Sequence, residues 1–176
     1  YDDKNTQGLL EYIQNNKPDL LGQMQNVIDL IILDLNDENG IGNATSLLNE
    51  MCKNYVNILF PFIPQLLVDL PEDEEYGMQC LVSLGSAFGD LQLARLLRQS
   101  NLSYANNFIL KIAEKIPNDL EFQSSAVLNA ICKKQYEKHQ IQILGIIKNI
   151  YEKNPDKCEN LFMAMPQKER EEIEAE

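Results

Sequence analysis

Tryptophan is absent from the 176 residues, and histidine occurs once, at His139. A Ser–His or Cys–His catalytic pair would have to use that histidine. Its neighbours are Lys138 and Gln140, so no adjacent acid orients it, and it reads as a surface residue at a helix start. Glycine is scarce at eight residues, too few for the tight turns of a barrel or sandwich. No segment alternates apolar and polar long enough to predict a strand. Long apolar runs are missing too. The longest lies near residues 28–35, and Asp29 and Asp34 interrupt it, so it is too short and too charged to span a bilayer. No basic stretch followed by an apolar core marks a signal peptide. Bases are rare early on: residues 1–76 carry 14 Asp/Glu against three Lys/Arg. Such a surface repels nucleic acid and attracts basic partners. Without a basic and aromatic face, nucleic-acid binding is not expected.

The four cysteines, at 52, 80, 132 and 158, form no C-x-x-C pair. Each falls in a helical apolar pattern, so they read as buried reduced thiols in a reducing compartment, not as a zinc site or disulfide framework. Other lookalikes of chemistry fail on spacing. Gly40-Ile41-Gly42 lacks the third glycine and the preceding strand of a dinucleotide fingerprint. Gly85-Ser86-Ala87-Phe88-Gly89 puts its serine one place too early for a nucleophile elbow, so its glycines are expected to let two helices approach closely. A calcium loop counted from Asp34 would need glycine at Asn39 and glutamate at Thr45. We therefore expect no cofactor, no metal and no catalytic residue.

Helical spacing is what the sequence has in quantity. Apolar residues step by three and four through Met24, Val27, Ile28, Ile31 and Leu35, and again through Ala44, Leu47, Leu48, Met51 and Cys52. Further stripes run through Tyr76, Cys80, Leu84 and Phe88, through Ala105, Phe108, Ile109 and Ile112, through Phe122, Ala126 and Val127, and through Ile143, Ile147, Ile150 and Tyr151. Breaks are short. Asn16-Lys17-Pro18-Asp19, Ile116-Pro117-Asn118-Asp119 and Lys153-Asn154-Pro155-Asp156 each end one helix and start another, with Asn154 as cap and Pro155 at the first helical position. Pro61 or Pro64 starts a helix that buries Ile63, Leu66, Leu67 and Leu70. Residues 89–101 read as a loop or short helix in which Arg95 and Arg98 form a solvated basic pair. Glu72, Asp73, Glu74 and Glu75 follow Pro71, where a helix dipole favours acids in the first turn.

About ten helices joined by short turns predict antiparallel neighbours. A closed bundle of that size needs all-apolar central helices, and only residues 27–35 approach one. The stripes therefore predict an all-α superhelix of HEAT/armadillo-like hairpins. It is a single segment over 1–176, of four to five hairpins, with a period of about 40 residues. Because the chain starts at Tyr1, it reads as an internal or C-terminal fragment of a larger protein.

Several stretches carry a resemblance. Asn43-Ala44-Thr45-Ser46-Leu47-Leu48-Asn49-Glu50-Met51-Cys52-Lys53 resembles the opening of a late repeat in importin-β-type karyopherins. The segment from Leu59 through Pro61, Pro64 and Leu70-Pro71 looks like the second helix of that repeat, and the acids 72–75 look like its continuation. The segment from Leu161 to Ile173 is similar to the terminal part of the importin-5-like branch. The resemblance implies a HEAT superhelix acting as a nuclear transport receptor in cytoplasm and nucleus. It implies basic cargo, the Ran GTPase and Phe-Gly nucleoporins as partners of the full-length protein. In that reading Asp69, Glu72, Asp73, Glu74 and Glu75, with Asp34, Asp37 and Glu38 behind them, form an acidic wall for Lys/Arg-rich signals. The alternative is a HEAT scaffold of another class, such as a phosphatase scaffold. Tubulin-binding arrays fit less well, since the turns here carry Asn, Pro, Asp and Glu.

Overall fold

The computed structural model describes residues 20–176, whose regular elements are all helices, with no strand among the described residues. The break at residues 16–19 lies outside them. The chain divides into two compact units, Tyr1–Leu96 and Leu97–Glu176. No described helix is long and apolar enough to cross a membrane.

The first unit contains α1 (Leu20–Leu35), α2 (Ile41–Asn54), the short α3 (Val56–Leu59), a 3-10 turn (Phe60–Phe62), α4 (Ile63–Val68), α5 (Glu74–Phe88) and α6 (Asp90–Leu96). In this unit α2 packs against α1 on one side and α5 on the other, and α6 packs on α5. The apolar stripes explain why. Met24, Val27, Ile28, Ile31 and Leu35 of α1 are buried, as are Ala44, Leu47, Leu48, Met51 and Cys52 of α2. Pro64 stands in the first turn of α4, where its missing N–H leaves no bond unmade. As expected, Ile63, Leu66, Leu67 and Leu70 are buried. The rings of Phe60 and Phe88 meet at 5.8 Å and 56°.

Two observations fix how α2 lies on α5. Ser83 Oγ donates to Asn49 Oδ1 at 3.0 Å. A Cβ added at Gly42 would lie 3.5 Å from Tyr76 Oη. Both pairs have the same separation along the chain, so the two helices run parallel and in register.

The second unit contains a 3-10 turn (Leu97–Gln99), α7 (Ser103–Lys115), α8 (Leu120–Cys132), a 3-10 turn (Glu137–His139), α9 (Gln140–Lys153), α10 (Pro155–Ala164) and α11 (Gln167–Glu174). Each of α7, α8 and α9 packs on its successor, and α7 also meets α9 as α8 meets α10. Polar side chains span the same interval. Lys157 Nζ binds Glu121 Oε1 at 2.7 Å, and Lys153 Nζ and Asn149 Nδ2 both donate to the Pro117 carbonyl at 2.9 Å. Lys133 Nζ donates to the carbonyls of Arg98 and Ser100, and Gln135 Nε2 to that of Asn101 at 3.1 Å.

Several expectations need correction. The interval from the start of α7 at Ser103 to that of α9 at Gln140 matches that from α8 at Leu120 to α10 at Pro155 within a few positions. It is shorter than the expected period because helices of 10–14 residues are joined by very brief turns. Helix α7 is buried well beyond its apolar stripe. It buries Tyr104, Asn106 and Leu110 beside its apolar stripe, whereas Leu30 and Leu33 of α1 are 49% and 66% exposed. Tyr151 is exposed because the buried stripe of α9 runs through Ile143, Ile146, Ile147 and Ile150. Cys132 is exposed at the last position of α8, while the other three thiols are buried. Gly89 does not bring two helices together. It ends α5 at φ 92°, a left-handed conformation that a Cβ would strain.

Candidate functional site

The turn between α1 and α2 begins the site. Asp37 Oδ2 accepts from the backbone N–H of Asn39 at 3.2 Å and of Gly40 at 2.9 Å, which closes residues 37–40 ahead of α2. Gly40 is buried against Asp34, and a Cβ there would come within 2.9 Å of the Asp34 Cβ. The turn can therefore fold this tightly only with glycine. Asp34 is half-buried under the turn instead of projecting from it.

The start of α5 supplies the opposite side. Asp73 has extended backbone angles (φ −63°, ψ 117°), and its Oδ1 accepts from Tyr76 N at 3.0 Å. It is the N-cap. That corrects the expectation that Glu72, Asp73, Glu74 and Glu75 all occupy the first turn. Only Glu74 and Glu75 do, Asp73 caps, and Glu72 precedes the helix.

These two pieces enclose one groove. Asp37 and Glu38 line one side, Glu72 and Asp73 the other, and Leu35, Ile41 and Tyr76 provide an apolar base. All four acids are exposed. Asp37 and Asp73 each use one carboxylate oxygen to accept from the backbone. Among the described residues no three His, Cys, Asp or Glu side chains gather closely enough to hold a metal ion.

Of the eight acids named from the sequence, Asp37, Glu38, Glu72 and Asp73 share the groove. Asp34, Asp69, Glu74 and Glu75 do not line it. Asp69 is the half-buried C-cap of α4, and Glu74 and Glu75 point from the exposed first turn of α5. Tyr76 and Ile41 were not foreseen as site residues. A signal for the pairing was available: Glu38 and Glu72, like Asp37 and Asp73, stand about one helical-hairpin repeat apart.

Beyond Tyr76 the same α2/α5 seam continues as a second, uncharged groove. Thr45, Ser46 and Asn49 line it from α2, and Met78, Gln79, Val82 and Ser83 from α5. Thr45 is 4% exposed, and its Oγ1 has no hydrogen-bond partner of ordinary geometry. The Cys80 thiol, a weak acceptor, interacts with it. Burial is also what raises the thiols here, Cys52 to about 12 and Cys80 to about 11.

The remaining sequence candidates lie apart from these grooves. His139 is half-buried, with Nε2 3.4 Å from Ser103 Oγ, a long contact. Arg95 is exposed. Arg98 is half-buried, and its guanidinium lies 5.8 Å from the centroid of the Phe122 ring. The expected solvated pair is thus solvated at Arg95 only.

The fold defines the class of the chain, an all-α protein, and its described site is an acidic groove. No protein-family model, no curated protein and no solved structure matches the chain.

Proposed function

We propose that this chain is a binding scaffold that takes Lys/Arg-rich protein segments into the groove between residues 37–38 and 72–73. We propose further that it does so as the C-terminal HEAT-repeat segment of an importin-β-type nuclear transport receptor. The observation that carries the binding reading is the meeting of two acidic clusters, distant in sequence, around one apolar base. A solvated acidic surface needs no such base. Packing of helices on both the next and the next-but-one neighbour in the second unit supports a solenoid of hairpins. So do side-chain hydrogen bonds there that repeatedly join one hairpin to the next. In the full-length receptor, basic cargo occupies the groove, and Ran and Phe-Gly nucleoporins engage other repeats. The scaffold itself performs no catalysis.

The test is retention of proteins from a cell extract on the immobilised chain at low and raised salt. Basic proteins retained at low salt and released as salt rises support the groove, because screening removes attraction between exposed charges beyond roughly 8 Å near physiological ionic strength. Retention indifferent to salt, or no basic protein retained at all, overturns it. Enrichment of proteins with Lys/Arg-rich nuclear import signals supports the transport reading in particular. Retention of basic proteins without that enrichment leaves the groove standing and removes the receptor.

A further inference from the structure

We infer that α11 is a strap, which lifts from the second unit and recloses while α7 to α10 stay folded. The inference stands on the packing of α11 and is independent of the acidic groove. Little within α11 sustains a helix by itself. It has eight residues, and isolated helices that short are unstable in water. Pro166 precedes it, and no side chain caps its first turn. Its last turn carries Glu172 and Glu174 and no base, the wrong charge for a helix C-terminus. The pairs Gln167–Glu171 at 2.8 Å and Lys168–Glu172 at 3.7 Å lie on exposed positions within the helix, where each is worth little. Helix α11 therefore depends on what it docks against.

That docking is thin. Only Ile173 of the eight residues is buried, so one isoleucine must offset the ordering of the whole segment. Gln140 Nε2 donates to Glu176 Oε1 at 3.1 Å, but water competes for this exposed bond. Arg170 works against the seat, because its Nε is buried without a hydrogen-bond partner. Nor is the seat closed. A groove stays open beside α11, with Arg170 and Glu174 on one side and Cys158, Phe162 and Met163 of α10 on the other. Burial, Glu176 and Glu172 together raise the pKa of the Tyr136 phenol, which puts two carboxylates of this segment near a buried hydroxyl. The preceding helix is held differently. It buries Cys158 and Leu161, and its Lys157 Nζ reaches Glu121 Oε1 at 2.7 Å. The boundary falls at residues 165–166. Met165 is buried, and Pro166 (φ −55°, ψ 143°) is outside the helical region, so this pair can absorb the motion. Opening takes Arg170 and Glu174 away from the groove and uncovers the seat of Ile173.

Native-state hydrogen exchange on the full chain, read by mass spectrometry, tests this. The amides of residues 170–174 are expected to exchange about a hundredfold faster than those of α9, yet more slowly than in a free peptide. Low denaturant is expected to leave that rate unchanged, since local opening exposes little surface. I173A is expected to speed exchange in α11 about tenfold or more while α9 and α10 keep the parent's rates. R170L, which removes the unpaired nitrogen and keeps an apolar stem, is expected to slow it. Exchange of α11 at the rate of α9, or an acceleration by I173A that spreads through α9 and α10, overturns the strap by making α11 part of the cooperative core. Exchange at the free-peptide rate overturns it from the other side, because no closed state then exists. Faster exchange of α11 in R170L also overturns it, by showing that the guanidinium holds the helix down.

Discussion

At the scale of single residues, burial sorts the four thiols. Cys52, Cys80 and Cys158 are 5%, 1% and 2% exposed, and Cys132 is open to solvent. A thiol-reactive chromophore added to the native protein is expected to label one cysteine quickly and the other three only after denaturant. Two or more fast thiols would contradict the packing of α2 on α5 or the docking of α10. The raised pair also makes stability depend on pH with a definite sign. The thiols of Cys52 and Cys80 ionise near 9.0 when free of the fold and at about 12 and about 11 within it. The folded state therefore binds more protons above pH 9. Their contribution is whole below pH 9 and is lost as pH rises through 11 to 12. The decline approaches about 1.4 kcal/mol per pH unit for each thiol. Denaturant titrations from pH 8 to 11 under reducing conditions should give the C52A/C80A variant a shallower decline than the parent. Parallel curves would refute the burial argument. Glycine makes its own demand at two sites. G40A pushes a Cβ against Asp34, and G89A forces φ 92° on an L-residue. Each should cost about 1 kcal/mol or more, read as a lower melting temperature.

At the scale of elements, caps and clamps decide where helices begin and what they hold. Asp73, Asp119 and Asn154 accept from Tyr76, Phe122 and Lys157 N–H groups at 3.0 to 3.1 Å. Replacing any of them by alanine should cost about 1 kcal/mol by chemical denaturation. D73A should in addition weaken basic-peptide binding, since Asp73 also lines the groove; unchanged affinity would remove it from the site. Asn154 and Pro155 were legible in the sequence because caps are local: a side chain bonds to a backbone N–H three residues on. The buried face of α4 was legible for the same reason, as proline and a 3.6-residue stripe act within a few turns. What escaped the sequence was non-local. Nothing in the stripe of α7 says that it is enclosed on most sides. Nor does Tyr151 announce that its face looks outward. Likewise, the eight candidate acids could be named one by one, but their division into four that meet and four that do not depends on the parallel register of α2 and α5. Lys133 belongs with these. Its ammonium reaches far back along the chain to the Arg98 and Ser100 carbonyls, and desolvation lowers its pKa there.

At the scale of the molecule, the charge follows the units. Residues 1–96 hold 15 Asp/Glu and four Lys/Arg, while residues 97–176 hold 12 and 11. The net charge of −12 is therefore almost wholly a property of the first unit. That raises a competing account of any basic ligand: a diffuse field, with no groove needed. The two accounts separate because a field responds to total charge and a groove to position. E38Q/E72Q removes two groove acids, and E169Q/E171Q removes two from α11 in the second unit, with the same change in net charge. Binding of a lysine-rich peptide should weaken several-fold in the first variant, with a flatter dependence of log Kd on log salt. It should stay within about twofold of the parent in the second, because Glu169 and Glu171 do not line the groove. Equal losses in both variants would mean that the acids act as a field, and the groove would then have no claim to be a site.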